Sequence, residues 1–276
     1  MSDCRLGLYE KAMPTELEWR ERLEAAGAAG FDYVEMSVDE TDARLARLDW
    51  SREQRRACLR AALESGVPIH SMCLSGHRKY PLGSHDPAIR QRGLEIMRKA
   101  VDLACDLGIR IIQLAGYDVY YEDGDDLTRG YFEENLARSV EYAARSGVLL
   151  GFETMETAFL DTVEKGMRYV RSVHSPYLGM YPDLGNLTNA AKLYGGDVTR
   201  DLQSGAGCLL AMHLKETEPG KYRDMEFGAG HVDFAQGIRT ARALGVRMFV
   251  AEYWHHGSEC WRLDIGNINA FLRRYL

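Results

Sequence analysis

No run of about 18 apolar residues occurs in this sequence, so a membrane-crossing helix is not expected. The opening MSDCRLGLYEKAMP lacks the charged-then-apolar order of a secretory leader, and the expected compartment is the cytoplasm. No C-x-x-C pair occurs among the six cysteines, so a disulfide framework is not expected and the scattered thiols fit a reducing compartment. Basic excess is missing too. The formal net charge is −7 with no basic tail, which argues against a nucleic-acid partner but leaves room for a small anionic substrate held by local cations. No G-x-G-x-x-G or P-loop follows an apolar run, which removes the usual dinucleotide and triphosphate readings. No linker or low-complexity tract divides the chain, so residues 1–276 are expected to form one domain.

One local phrase recurs. A helical stretch ends in a small residue and Gly, and an apolar run follows: AAGFDYVEM at Gly30, ESGVPIHSM at Gly66, DLGIRIIQL at Gly108, RSGVLLGFE at Gly147 and ALGVRMFVAE at Gly245. Glycine just past a helix accepts the left-handed conformation that ends it. A short apolar run then suits a parallel strand covered on both faces. Ser51 with Gln54 reads as a capping box and Asp86-Pro87 as a helix start, after which Leu94, Met97, Val101 and Cys105 form an apolar stripe. With the first run and those ending at Asp183 and His213, about eight strand–helix units result, the number that closes a (β/α)8 TIM barrel of the α/β class.

Four metal-capable residues end late runs: Glu153 in VLLGFE, Asp183 in LGMYPD, His213 in LLAMH and Glu252 in RMFVAE. They are spaced 30, 30 and 39 residues apart, about one strand-plus-helix unit each. The C-terminal ends of barrel strands converge on one mouth. Taken singly, an acid at a strand end also serves as a helix cap or ion-pair partner, and His213 as a hydrogen-bonded core histidine. Four in register favour a divalent-metal site, with Mn²⁺, Mg²⁺ or Zn²⁺ all compatible with such oxygen-rich ligands. No cysteine ends a late strand, which argues against structural zinc. A metal at a substrate carbonyl stabilises an enediolate, and carboxylates on two faces, here Glu153 and Glu252, can remove and return a proton. Two such bases on opposite faces would invert a stereocentre, whereas one base acting on a single face would favour isomerisation.

The stretches LGLYEKAMP, FDYVEMSVDETDARLARLDWSREQR, SMCLSGHRKYPLGS, GLEIMRKAVDLACDLGIRIIQLAGYDVYYE, YPDLGNL, HLKET and FGAGHVDF resemble the L-ribulose-5-phosphate 3-epimerases of L-ascorbate utilisation. These enzymes, also called L-xylulose-5-phosphate 3-epimerases, are xylose-isomerase-like barrels. The resemblance runs over nearly the whole chain and is densest in residues 6–122. It implies the same four ligands, with the two glutamates as the acid–base pair acting on C3 of a ketopentose 5-phosphate. Related ketose epimerases hold substrate through a His and an Arg, and the matching positions here are Asn186 and Arg223.

For the phosphate, Ser75, His77, Arg78 and Lys79 offer cations and backbone donors, Lys11 after the first strand and Lys215 after the seventh are further candidates, and each taken singly also reads as a solvated loop cation. Gln113 and Tyr117, ending the fourth strand, suit contacts to sugar hydroxyls and equally suit packing at the barrel rim. A homodimer or higher homo-oligomer is expected, with a sugar phosphate as the small-molecule partner. The chain departs from its relatives at Ala229 in FGAG, at Thr154, and at His231, His255 and His256, which bears on which sugar is accepted. An epimerase or isomerase of an unphosphorylated ketose, an abasic-site endonuclease-like hydrolase and a non-catalytic sugar-phosphate-binding barrel are the competing readings.

Overall fold

The computed structural model describes residues 3–276. Its strands are β1 (Arg5–Tyr9), β2 (Tyr33–Val38), β3 (Ile69–Leu74), β4 (Ile111–Ala115), β5 (Leu149–Glu153), β6 (Leu178–Met180), β7 (Met212–Leu214) and β8 (Met248–Ala251). All ladders are parallel, in the order β6-β5-β4-β3-β2-β1-β8-β7. Two isolated parallel bridges, Met180–Leu209 and Asp183–His213, join the outer members and close the sheet on itself. The expected TIM barrel is therefore what the chain forms.

Helices α1 (Trp19–Ala28), α2 (Asp42–Leu45), α3 (Arg52–Ser65), α4 (Pro87–Leu107), α5 (Asp126–Arg145), α6 (Val163–Val173), α7 (Leu184–Tyr194), α8 (Val198–Ser204), α9 (Phe234–Ala243) and α10 (Trp261–Arg273) surround it. Ser51 and Gln54 make the reciprocal capping box that starts α3, and Asp86 accepts from Ala88 N at the start of α4. Gly66 and Gly108 end these helices in the left-handed conformation. The stripe on α4 needs one correction. Met97 and Val101 are buried, but Cys105 is exposed, and Ala104 and Leu107 take its place against the sheet. Among the described residues no helix is long and apolar enough to cross a membrane.

Strand alternation divides the residues into two layers. Leu6, Leu8, Val34, Met36, Met72, Ile112 and Phe249 point outward and pack under the helices. A smaller inner cluster of Tyr9, Tyr33, Cys73, Ile111, Tyr181, Ala211 and Val250 fills the barrel. The Tyr33 ring fits only because β1 carries Gly7 opposite it. A Cβ at that position would lie 2.3 Å from Tyr33 Cε2, and the ring is pinned by its hydroxyl donating to Phe249 O at 2.9 Å. We expect Gly7→Ala to lose about 1–3 kcal/mol of stability through overpacking, read by chemical denaturation. An unchanged midpoint would mean the inner layer is softer than its burial indicates.

Candidate active site

β5 ends on Glu153, the turn after β6 on Asp183, β7 carries His213 at its centre, and Glu252 follows β8. All four are buried, and one ligand atom from each lies within 4.8 Å of the others. Backbone geometry sets this proximity. The Asp183–His213 bridge puts these two residues side by side, with His213 N donating to Pro182 O at 2.9 Å. Asp183 also caps α7, since its Oδ1 accepts from Asn186 N at 2.7 Å. Its other oxygen, Oδ2, is buried without a hydrogen-bond partner. A buried carboxylate oxygen in that state is costly unless something else meets it.

His213 Nδ1 faces the glutamates, 3.6 Å from Glu153 Oε1 and 3.5 Å from Glu252 Oε2. Its Nε2 is 2.5 Å from Glu35 Oε1, a fully buried pair inside the barrel. Lys215 supplies the cation of the site, its ammonium 2.9 Å from Glu252 Oε2 and 3.4 Å from Asp183 Oδ1. Three clustered carboxylates and an imidazole, an orphaned Asp183 oxygen and full burial fit a divalent ion, and the donors are of the type Mn²⁺, Mg²⁺ or Zn²⁺ accept.

Electrostatics separates the two glutamates. Burial, with the Glu252 charge close by, raises the Glu153 pKa. Burial would also raise Glu252, but Lys215 and His213 outweigh it and hold Glu252 well below the usual carboxylate range. Burial pushes Asp183 up to about 7 against the pull of Lys215. Burial opposes the charged form of His213 too, yet Glu35 and Glu252 overcome it and the pKa rises. Adjacent carboxylates whose environments drive them apart are the arrangement in which one group holds a proton while the other accepts one.

The other residues named from sequence divide into those at this pocket and those packed elsewhere. Lys215 is in it. The Gln113 amide nitrogen lies 3.1 Å from His213 Nδ1 and 3.3 Å from Nε2, so it packs on the imidazole, and its Oε1 is buried without a partner. Asn186 directs its amide donor to Thr154 O at 2.7 Å and keeps an unpartnered Oδ1. Arg223 is exposed and stacks 5.4 Å from the Trp254 ring, over which Lys215 also sits at 5.7 Å. Arg78 is half-buried against Tyr120 and Tyr117, at 4.8 and 5.7 Å. Ser75 is half-buried and accepts from Arg78 N. Tyr117 donates to Glu156 at 2.6 Å.

His77 departs from expectation. It is buried with Nε2 3.1 Å from Gly93 O, and burial lowers its pKa to about 4, so it is a neutral packing residue and no phosphate cation. Lys11 is taken by Asp39 at 2.5 Å. Of the divergent histidines, His231 faces Thr217, His255 meets Lys11 O through its backbone, and His256 pairs with Asp224.

Sequence reasoning missed Glu35, whose signal was an acid in the middle of β2, YVEMSV, where every residue is buried. It also missed Glu216. That buried carboxylate accepts from Gly228 N at 2.8 Å and Val232 N at 3.1 Å and so ties down the long loop after β7.

Comparison with known proteins agrees with this architecture. The family description "Xylose isomerase-like TIM barrel" matches residues 23–274. The chain is 49% identical to the L-ribulose-5-phosphate 3-epimerase UlaE of Salmonella typhimurium, over 92% of this chain and 88% of that one. It is 48% identical to the enzyme of the same name from Shigella boydii, with the same coverage. Among solved structures, D-allulose 3-epimerase from Methylomonas sp. in complex with D-allulose superposes with a TM-score of 0.80 at 19% identity, covering 99% of this chain and 97% of that one. An L-ribulose 3-epimerase superposes at 0.76 and 20% identity, covering 99% and 93%. The chain thus belongs to the xylose isomerase-like TIM barrel family, beside those L-ribulose-5-phosphate 3-epimerases, and is an isomerase of the epimerase type.

Proposed function

We propose that this protein epimerises C3 of a ketopentose 5-phosphate, interconverting L-ribulose 5-phosphate and L-xylulose 5-phosphate, with Glu153 and Glu252 as the acid–base pair. The observation that carries the reading is the placement of two glutamates at the C-terminal ends of β5 and β8, with Asp183 after β6 and His213 on β7 between them. Glu153, Asp183, His213 and Glu252 are the residues that would hold a divalent ion. Such an ion supplies Lewis-acid stabilisation of the charge that develops on the substrate's carbonyl oxygen.

The chain's own groups do the rest. A C3 between the two glutamates is approached from both faces, so one carboxylate takes the proton as the other gives one back, and the stereocentre inverts. Lys215 holds Glu252 in its ionised form. Trp254 stands beside the pocket's cation, its ring 5.7 Å from the Lys215 ammonium, and Glu216 holds down the loop after β7.

The 5-phosphate is assigned to the loop after β3, where Ser75 and the half-buried Arg78 remain once His77 is removed from consideration. Arg78→Gln is expected to raise KM for L-ribulose 5-phosphate by about tenfold to a hundredfold, the worth of a hydrogen bond to a charged group. Turnover of unphosphorylated L-ribulose by the same variant should stay at the parent level. Equal activity of the parent on the two sugars would overturn the phosphate assignment.

A further inference from the structure

Glu35 is a charged residue fully buried inside the barrel, one layer below the four clustered side chains, and the acid–base step does not use it. Its two oxygens are committed to different partners. Oε2 accepts from Ser71 Oγ at 2.6 Å and from Tyr181 OH at 2.9 Å, so β3 and the turn after β6 fix the carboxylate in place. Oε1 meets His213 Nε2 at 2.5 Å. A carboxylate presents only acceptors, so the imidazole nitrogen facing it carries the proton. In a neutral imidazole the other nitrogen then carries the lone pair, and here that is Nδ1, the atom turned toward Glu153 and Glu252.

Resting on the metal reading above, we propose that Glu35 is a positioning residue that locks His213 in the Nε2–H tautomer, so that Nδ1 is a ready ligand. The histidine of a metal site is commonly oriented this way through its second nitrogen, and loss of the partner typically costs about tenfold to a hundredfold in metal affinity.

The isosteric change Glu35→Gln is informative because Ser71 and Tyr181 both donate to Oε2. In the variant those donors hold the carbonyl at that place, which turns the amide NH₂ toward His213 Nε2. Facing a donor, Nε2 gives up its proton, and the tautomer reverses to Nδ1–H with the lone pair pointing away from the carboxylates.

The test uses ¹⁵N-histidine-labelled full-length protein loaded with zinc, together with zinc affinity measured by chelator competition. In the parent, the exchange-protected His213 proton is expected on Nε2. Glu35→Gln is expected to bind zinc at least tenfold more weakly while its circular dichroism matches the parent. A merely structural Glu35 would lower the thermal midpoint of the metal-free variant and leave the zinc affinity of its folded form unchanged.

A proton on Nδ1 in the zinc-loaded parent, or zinc affinity in the folded variant within threefold of the parent, overturns the proposal. Should Glu35→Gln not fold, the parent spectrum alone decides. A parent that takes up no zinc, manganese or magnesium overturns the metal reading and this proposal with it, which separates the two failures.

Discussion

Glu153→Gln and Glu252→Gln are each expected to lower kcat for epimerisation by about a hundredfold to ten-thousandfold, the usual contribution of a positioned acid or base. Glutamine keeps the shape and one oxygen of each side chain, and both residues are buried, so circular dichroism should remain that of the parent. The two variants should nevertheless differ from each other. If each glutamate serves one face of C3, removing one abolishes solvent-deuterium exchange into one epimer while exchange into the other survives. Proton NMR of the sugar in deuterium oxide reads this directly, with excess divalent metal present to offset weaker ligation. Undiminished turnover in both variants would sink the two-base mechanism, and equal exchange into both epimers in both would reduce it to one base.

Metal removal is the second large effect. A chelator is expected to bring turnover to background, and Mn²⁺, Mg²⁺ or Zn²⁺ to restore it. An ion that binds only the folded chain stabilises it by about 4 kcal/mol at a thousandfold excess over Kd, about 10 °C in midpoint for a chain of this size.

The pH dependence has a defined sign. In the metal-free protein burial raises Asp183 to about 7, above its unfolded value of 3.8. The folded state therefore binds the extra proton between these values, and the resulting stability is complete below 3.8 and lost as pH rises through about 7. Occupancy by a divalent ion competes with that proton, so affinity should weaken as pH falls below about 7, while the loaded protein escapes the loss of stability at high pH. Differential scanning calorimetry of both forms between pH 5 and 8 checks it. Full activity after exhaustive chelation would remove the ion from the proposal.

The barrel was legible because its signals are local. Gly66, Gly108 and Gly147 each take the left-handed conformation where a helix ends and a strand begins. The spacing of Glu153, Asp183, His213 and Glu252 then located the pocket, since strand ends share one mouth. What escaped depends on which way a side chain points at a given depth. Glu35 sits in mid-strand, and only the pairing register of β2 with its neighbours shows that it faces His213 and not a helix. His77 failed in the opposite sense. Between Gly76 and Arg78 it looks like a solvated cation, but a short helical turn folds it under α4 to Gly93. Cys105 falls at the edge of the buried face of α4, about 100° around the helix from the buried Ala104.

The closure of the barrel at β6–β7 has a consequence for its dynamics. Every other neighbouring pair is a ladder of three or more residues in register, whereas this joint consists of two single bridges, one of them between Asp183 and His213. Those residues are therefore neighbours only while the seam is shut. A fluctuation that opens it unzips the cylinder into a curled ribbon and parts the two side chains in the same movement. Closure of the ring and the adjacency of Asp183 and His213 therefore rest on the same few backbone bonds, Met180 N to Cys208 O, Leu210 N to Met180 O and His213 N to Pro182 O, at 2.8, 2.8 and 2.9 Å.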